Sequence, residues 1–528
     1  MNSPSSFDTS PLSTVDQIYK RRWLTLLVLC LSLFLVVVDN LIVNVAIPTL
    51  SRELNAGTSA LQWIVDSYSL IFAGLLLAAG GLGDRFGRKG ALQLGLVLFA
   101  ICSAFASFSD TTSQLIFWRG AMGIGAALVF PATLAIVTNI FIDPIERAKA
   151  IGVWSAVSGA AVAFGPVVGG FLLEHFWWGS VFLINIPIVA IALLAGWRLV
   201  PTSKDADAHR IDKVGFILSI AMIGLLVYTV IEGPHQGWKS LPTLGGFAGA
   251  AALLGIFIFW ELRVTGPLLD VRTFKNARFT AGASAIGIAF FALFGFTFLV
   301  TQYFQYVRGY STLSSGLHTL PFAIGAGATA PFAARLALKL GSKRVVAYGL
   351  TSMSVGLILA SQFSESSSYF GNVVVSMLFL ATGLACVTSP ATEAVMGAVS
   401  REKAGIASAV NDTSREVGGT LGVAVVGSVF ASLYSPRIIE VLGGMSVPPA
   451  AVDAASSSMA AALVVAEQAP QEAQGAIVAA ARDSFMHGWS SACLVAAGIT
   501  AFGAVLVLFF LPNYTRSVAE VHVGEKSA

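Results

Sequence analysis

Six ionisable residues sit where the 528-residue chain is otherwise almost wholly apolar: Asp39, Asp66 and Arg119 near its start, and Asp412, Arg415 and Glu416 further on. A charge placed in hydrocarbon is costly, so each of them is a candidate functional group. Asp39 falls about 16 residues into an apolar stretch, roughly 24 Å along a helix. Asp66 and Arg119 each fall about six residues into stretches running the other way, roughly 9 Å from their starts. In a layer of about 30 Å all three share one level. Two carboxylates and one guanidinium at one level can pair, and a carboxyl whose cationic partner moves can load and release a proton. Asp412 and Glu416 are spaced i,i+4 and share a helix face, with Arg415 three residues after Asp412. Two readings stay open there: a self-neutralised structural cluster, or a cation-binding or proton-linked site.

Other polar residues on apolar stretches are weaker candidates. Asn40 and Asn44 lie one helical turn apart, and Asn44 is placed to line a cavity. Asn185, just before Pro187, reads as a structural amide between helices. Glu232, before Gly233-Pro234, reads as an interfacial carboxylate. Phe290, Phe294 and Phe298 repeat at i,i+4, and a lipid-facing stripe is favoured over a wall that stacks on cargo.

The elements that position these groups are membrane-spanning helices. Hydrophobic residues make up 56% of the chain and charged residues only 11%, against roughly a quarter charged in soluble domains. Apolar runs of about 20 residues recur, each long enough to cross the bilayer. Fourteen spans are expected, from 23–48 to 485–511, giving an all-α integral membrane protein. With the N-terminus placed in the cytoplasm, Lys and Arg fall on the inner segments over the outer ones by roughly five to one. Both termini are therefore expected on the cytoplasmic side of the cell membrane. The expected organisation is a cytoplasmic tail over 1–22, a six-helix half over 23–200, two inserted helices over 201–262, a second six-helix half over 263–511, and a tail over 512–528. The Ala-rich outer segment 435–484 is long for a loop, has room for short helices, and reads as a cover without chemistry.

Several function classes are excluded by what the chain lacks. Its four cysteines, Cys30, Cys102, Cys386 and Cys493, lie inside apolar runs with no metal or disulfide spacing. The six histidines form no HExxH pair, and neither a GxSxG elbow nor a GxxxxGK[ST] phosphate loop occurs. No enzyme activity, cofactor, metal or nucleic-acid partner is expected. The basic inner loops are accounted for by topology.

The short gap between the second and third spans reads Gly80-Gly81-Leu82-Gly83-Asp84-Arg85-Phe86-Gly87-Arg88-Lys89. Its glycines suit a sharp, closely packed turn, and Asp84 is placed to act as a latch for one conformation. The equivalent gap of the second half holds a weak echo, Arg335, Gly341, Ser342, Lys343 and Arg344. Two parallel halves of this kind suit an alternating-access carrier with its site between them. Gly165-Pro166 weakens a helical hydrogen-bond ladder, and Gly165 with Gly169 makes a small-residue packing face.

These residues resemble the major facilitator superfamily, specifically its fourteen-span drug:proton antiporters. The likeness covers nearly the whole chain. It is carried by Gly80 to Lys89 with Gly83, Asp84, Arg85, Gly87 and Arg88; by Asp39, Asn44, Ala46 and Pro48; by Arg119, Gly123 and Gly125; by Gly159, Gly165, Pro166, Gly169 and Gly170; and by Tyr303-Phe304-Gln305 with Arg308 to Ser311. The resemblance implies proton-coupled export of amphipathic, cationic drugs or toxic compounds by a monomer in the lipid bilayer. Asp39, Arg119 and Asp66 would couple protons, and Asp66, Asn44, Asp412 and Glu416 would attract the cation. The alternative is a dedicated exporter of an endogenous lipid, siderophore or metabolite. The position of Asp66 is commonly uncharged in relatives, which hints at cationic cargo.

Overall fold

The computed structural model describes residues 12–203, 212–399, 404–445 and 447–512, and the chain there is helical throughout. The helices are α1 (Leu12–Glu53), α2 (Thr58–Phe86), α3 (Arg88–Ser107), α4 (Thr112–Ile140), α5 (Pro144–His175), α6 (Ser180–Leu183), α7 (Asn185–Leu199), α8 (Lys213–Gln236) and α9 (Leu241–Glu261). They continue with α10 (Ala277–Gln302), α11 (Thr312–His318), α12 (Leu320–Leu340), α13 (Ser342–Ser361), α14 (Val374–Met396), α15 (Ala404–Gly443), α16 (Pro449–Ser457), α17 (Met459–Gln468) and α18 (Gln471–Phe510). Local chemistry sets several starts. Thr111, Asp212, Ser240 and Asn276 accept backbone N–H bonds at the first turns of α4, α8, α9 and α10.

Among the described residues, 12 helices are long and apolar enough to cross a membrane, so the expected count of fourteen is not confirmed. The expected spans 148–173 and 314–338 account for the difference. The first has its described apolar stretch confined to Ala160–His175. The second falls on α11 and α12, and α12 carries Pro331, Arg335 and Lys339, which dilute its apolar character. At the N-terminus α1 already begins at Leu12, well before the expected start at 23.

Packing follows two groups. Helix α1 packs on α5 and α7, α2 on α4, and α3 on α4. Later in the chain, α10 packs on α15, α13 on α14 and α18, and α12 on α14. Helices α8 and α9 pack on each other, and α8 also touches α2 and α15. The two groups meet through α2 against α15, α5 against α11, and α1 against α10. The segment 435–484 is mostly helical: it extends α15, forms α16 and α17, and begins α18. It lies on the α1–α2 turn, where Thr58 Oγ1 donates to Ser457 O at 3.1 Å and Ser51 Oγ to Ser458 Oγ at 3.3 Å.

Candidate functional site: a sealed ion pair beside a central cavity

Asp39 on α1 and Arg119 on α4 form an ion pair, with Arg119 Nη1 donating to Asp39 Oδ2 at 2.6 Å; neither side chain is exposed at all. Asn185 at the start of α7 donates from Nδ2 to Asp39 Oδ1 at 2.7 Å and to Ser103 Oγ at 2.9 Å. Arg119 Nε donates to Ile64 O at 3.2 Å, and the guanidinium lies 4.3 Å from the Tyr68 ring centre. The pair is thus held from four helices. Removing one partner of such a pair strands the other charge, at a cost of about 3–5 kcal/mol. Sequence reasoning treated Asn185 as a structural amide; the structure makes it a direct partner of Asp39, and only its apolar setting hinted at that.

Asp66 does not join this pair. Both its carboxyl oxygens are buried without a hydrogen-bond partner among the described residues. One turn earlier on α2, Gln62 Nε2 donates to Val423 O, Ala424 O and Ser428 Oγ of α15. The expected grouping of Asp66 with Asp39 and Arg119 is therefore corrected: it makes no hydrogen bond to either of them.

A cavity of about 210 Å³ lies between the two groups of helices. Asn40 and Asn44 of α1 line it opposite Asp412, Arg415 and Glu416 of α15. Phe72, Phe130, Phe290, Phe294 and Phe322 supply apolar walls. The expected lipid-facing stripe is therefore corrected: Phe290 and Phe294 face the cavity, and Phe298 is fully buried. Period i,i+4 identifies a shared face and says nothing about which neighbour that face meets. Arg415 Nη1 stands 3.9 Å from Asp412 Oδ1, and Glu416 Oε2 is buried without a partner among the described residues. Asn40 Oδ1 and Asn44 Oδ1 are likewise unpartnered. Asp39 and Asp66 do not line the cavity. The cavity thus offers carboxyl groups beside Arg415 on α15 and amide oxygens on α1, amid aromatic rings, a lining suited to an amphipathic cation.

The cavity is closed at the end bearing the α1–α2 turn. Pro48 has no N–H, so the Asn44 carbonyl lacks its usual helical donor. Thr301 Oγ1 of α10 donates to Asn44 O at 2.8 Å instead. Just beyond, a π-helical turn at Tyr303–Val307 brings Gln305 Nε2 to Val45 O at 3.0 Å and the Tyr306 hydroxyl to Pro48 O at 3.0 Å. Between α5 and the start of α11, Glu174 Oε2 accepts from Ser311 Oγ at 2.8 Å and from Leu313 N at 3.1 Å.

The family model described as Major Facilitator Superfamily matches residues 29–423. The chain belongs to that superfamily. It is 34% identical over 516 residues to the multidrug resistance protein Stp of Mycobacterium tuberculosis, covering 96% of this chain and 94% of that protein. It is 36% identical over 499 residues to the methyl viologen resistance protein SmvA of Salmonella typhimurium, covering 94% and 99%. Among solved structures, a bacterial homolog of the human lysosomal transporter Spinster, in an inward-facing and unoccupied conformation, superposes with a TM-score of 0.63 over 94% of this chain and 99% of that one, at 16% identity. The fold is therefore the all-helical fold of this superfamily, and the protein crosses the membrane many times.

The superfamily's loop motif shows its geometry at Gly87. That one residue separates α2 from α3 with φ 116°, a backbone shape side chains rarely adopt. Gly341 separates α12 from α13 in the same way, with φ 86°. The weak sequence echo is a close geometric one. Gly83 accepts the Gly87 N–H, Arg88 N donates to Ser203 O, and Lys89 Nζ donates to Trp197 O at 2.7 Å. Gly80, Asp84, Arg85 and Gly159 lie outside the residues whose surroundings are described. In α5, Gly165 and Gly169 lie against Leu41 and Ile42 of α1, while Gly170 meets Thr312 and Leu313. Pro166 does not break α5, which runs unbroken to His175.

Proposed function

We propose that this chain is a proton-coupled antiporter that exports amphipathic, cationic compounds by alternating access. The observation that carries the reading is the central cavity, lined by Asp412, Glu416 and aromatic rings on one side and by Asn40 and Asn44 of α1 on the other, with Asp39 of that same α1 sealed in its pair with Arg119. Relatives named for multidrug and methyl viologen resistance support it. In this reading the protein works as a monomer in the cell membrane with both termini in the cytoplasm. The division into halves at 23–200 and 263–511, with inserted helices at 201–262, belongs to the same proposal. The closed end is then the outer gate, and the structure stands in an inward-facing state.

Asp39 and Arg119 carry the proton step in this scheme. A proton on Asp39 removes the attraction that holds α1 to α4, and its departure restores it. Asp412 and Glu416 attract the cargo, and Asn44 contacts it. Asp66 has neither role through the pair or the cavity in this conformation; as an unpartnered carboxyl beside α15, it remains a second place for a proton when the halves separate.

The test is transport in proteoliposomes with an imposed pH difference and a lipophilic cation as cargo. The wild-type protein drives uphill movement, and Asp39→Asn abolishes it while remaining in the membrane. Uphill movement that continues with the pH difference collapsed and no other ion gradient present refutes the proposal.

A further inference from the structure

Among the described residues, two membrane-embedded arginines stand beside carboxylates, and they are held very differently. Arg119 is locked: it is fully buried, pairs with Asp39 at 2.6 Å, and donates a further bond to a backbone carbonyl, with Nη2 alone left without a partner among the described residues. Arg415 is loose. Its nearest carboxylate oxygen, Asp412 Oδ1, is 3.9 Å away, beyond hydrogen-bond range. Its Nη2 reaches Thr392 Oγ1 at a long 3.4 Å, and its Nε has no partner among the described residues. The side chain is 32% exposed and lines the cavity.

The surroundings of Arg415 are those a cargo cation would seek. Its guanidinium carbon lies 5.5 Å from the centre of the Phe290 ring, within cation–π range. Asp412 flanks it, already receiving an Asn411 Nδ2 bond at 3.1 Å. Glu416, one turn further along α15, presents a buried and unpartnered oxygen. Thr392 donates to Asn411 Oδ1 at 2.8 Å, which leaves its hydroxyl oxygen free to accept from Arg415. One aromatic face, two carboxyl groups and one weakly anchored guanidinium therefore share one wall of the cavity.

We propose that Arg415 is a tethered stand-in for the cargo, occupying the cation place formed by Phe290, Asp412 and Glu416 until a lipophilic cation displaces it. This rests on the proposed export of cations and adds the residue that sets their affinity. When both carboxyl groups are ionised, two of them against one arginine leave a single net negative charge, matched by an organic monocation with an aromatic body. When cargo leaves, Arg415 returns and the carboxylates are not stranded. A resident competitor lowers affinity, and in an exporter that permits release.

The test is binding to the purified full-length protein at fixed pH. The probes are tetraphenylphosphonium and uncharged triphenylphosphine oxide. R415Q keeps much of the length and removes the charge; R415K keeps the charge and loses the planar fork that reaches Phe290 and Thr392. R415Q is expected to bind tetraphenylphosphonium about tenfold more tightly, R415K to fall between it and wild type, and the neutral probe to bind all three alike. Unchanged or weaker cation binding in both variants, with neutral binding intact, overturns the inference and leaves the exporter reading standing. If R415Q does not fold, R415K alone decides, since its affinity must still exceed that of wild type. A wild-type protein that binds the neutral probe and ignores tetraphenylphosphonium overturns the cationic cargo and this inference with it.

Discussion

Thr301→Val removes one hydroxyl from the closed end of the bundle and keeps the shape of the side chain. In the structure that hydroxyl serves the Asn44 carbonyl, which Pro48 deprives of its helical donor. Thr301 and Asn44 are both 1% exposed, so no water replaces the lost bond while the gate is shut. A buried carbonyl left unsatisfied costs about 1–3 kcal/mol. Once the gate opens, water reaches the same carbonyl and the cost vanishes. The substitution therefore acts on one state only, and shifts the balance toward the open gate by about 5- to 150-fold. Spin labels at Asp110 and Ser366, exposed positions on loops of the two groups of helices, report the separation by electron–electron double resonance. The four native cysteines are buried, which favours selective labelling. Pro48→Ala provides the internal control. It restores an N–H that can serve Asn44 O within α1, so Thr301→Val should cost much less in that background. The non-additivity of the pair measures the interaction. Equal effects of Thr301→Val with proline or alanine at position 48, or no effect in either, refute the reasoning.

Asn185→Leu removes the donor shared by Asp39 and Ser103. It should lower stability by about 1.5–3 kcal/mol in thermal unfolding and reduce pH-driven transport while tetraphenylphosphonium binding is unchanged, because Asn185 does not line the cavity. Gly87→Ala and Gly341→Ala place a Cβ at positive φ with an extended ψ, with an expected cost of about 1–3 kcal/mol each. Both should lower the melting temperature, and equal loss at the two sites checks that the turns are equivalent.

The sequence allowed depth to be read well and azimuth poorly. Counting residues along helices put Asp39 and Arg119 at one level, and they pair at 2.6 Å. The same count put Asp66 there too, yet its side chain lies on the face of α2 that Gln62 turns toward α15. Rise per residue fixes height, but rotation depends on how whole helices pack. Phe290 and Phe294 were misplaced for the same reason: their shared face was legible, and its neighbour was not. The turn at Gly87 and its counterpart at Gly341 were legible because backbone geometry is local. The gate at Pro48 was only half legible. A proline shows that a carbonyl is freed, but its new donor, Thr301, comes from a helix more than 250 residues away.

Helix α1 is where these separate features become one device. Asp39 and Asn40 are chain neighbours, about 100° apart around the axis, so one points into the sealed pair and the other into the cavity. Nine residues beyond Asp39, roughly 13 Å along the helix, Pro48 is gripped by Tyr306. In the proposed exporter, a proton arriving on Asp39 weakens the hold of α4 on α1. The same rigid helix bears Asn40 and Asn44 in the cavity wall and the Asn44 and Pro48 carbonyls at the gate. A small rotation of α1 therefore acts on cargo contacts and on gate bonds together. Proton and cargo need not meet for each to alter the other's affinity; both need only favour a different seating of α1. That places the burden of coupling on the fit of α1 against α4, α5 and α10. The glycines at 165 and 169 serve that fit directly: they let α5 approach α1 closely, against Leu41 and Ile42.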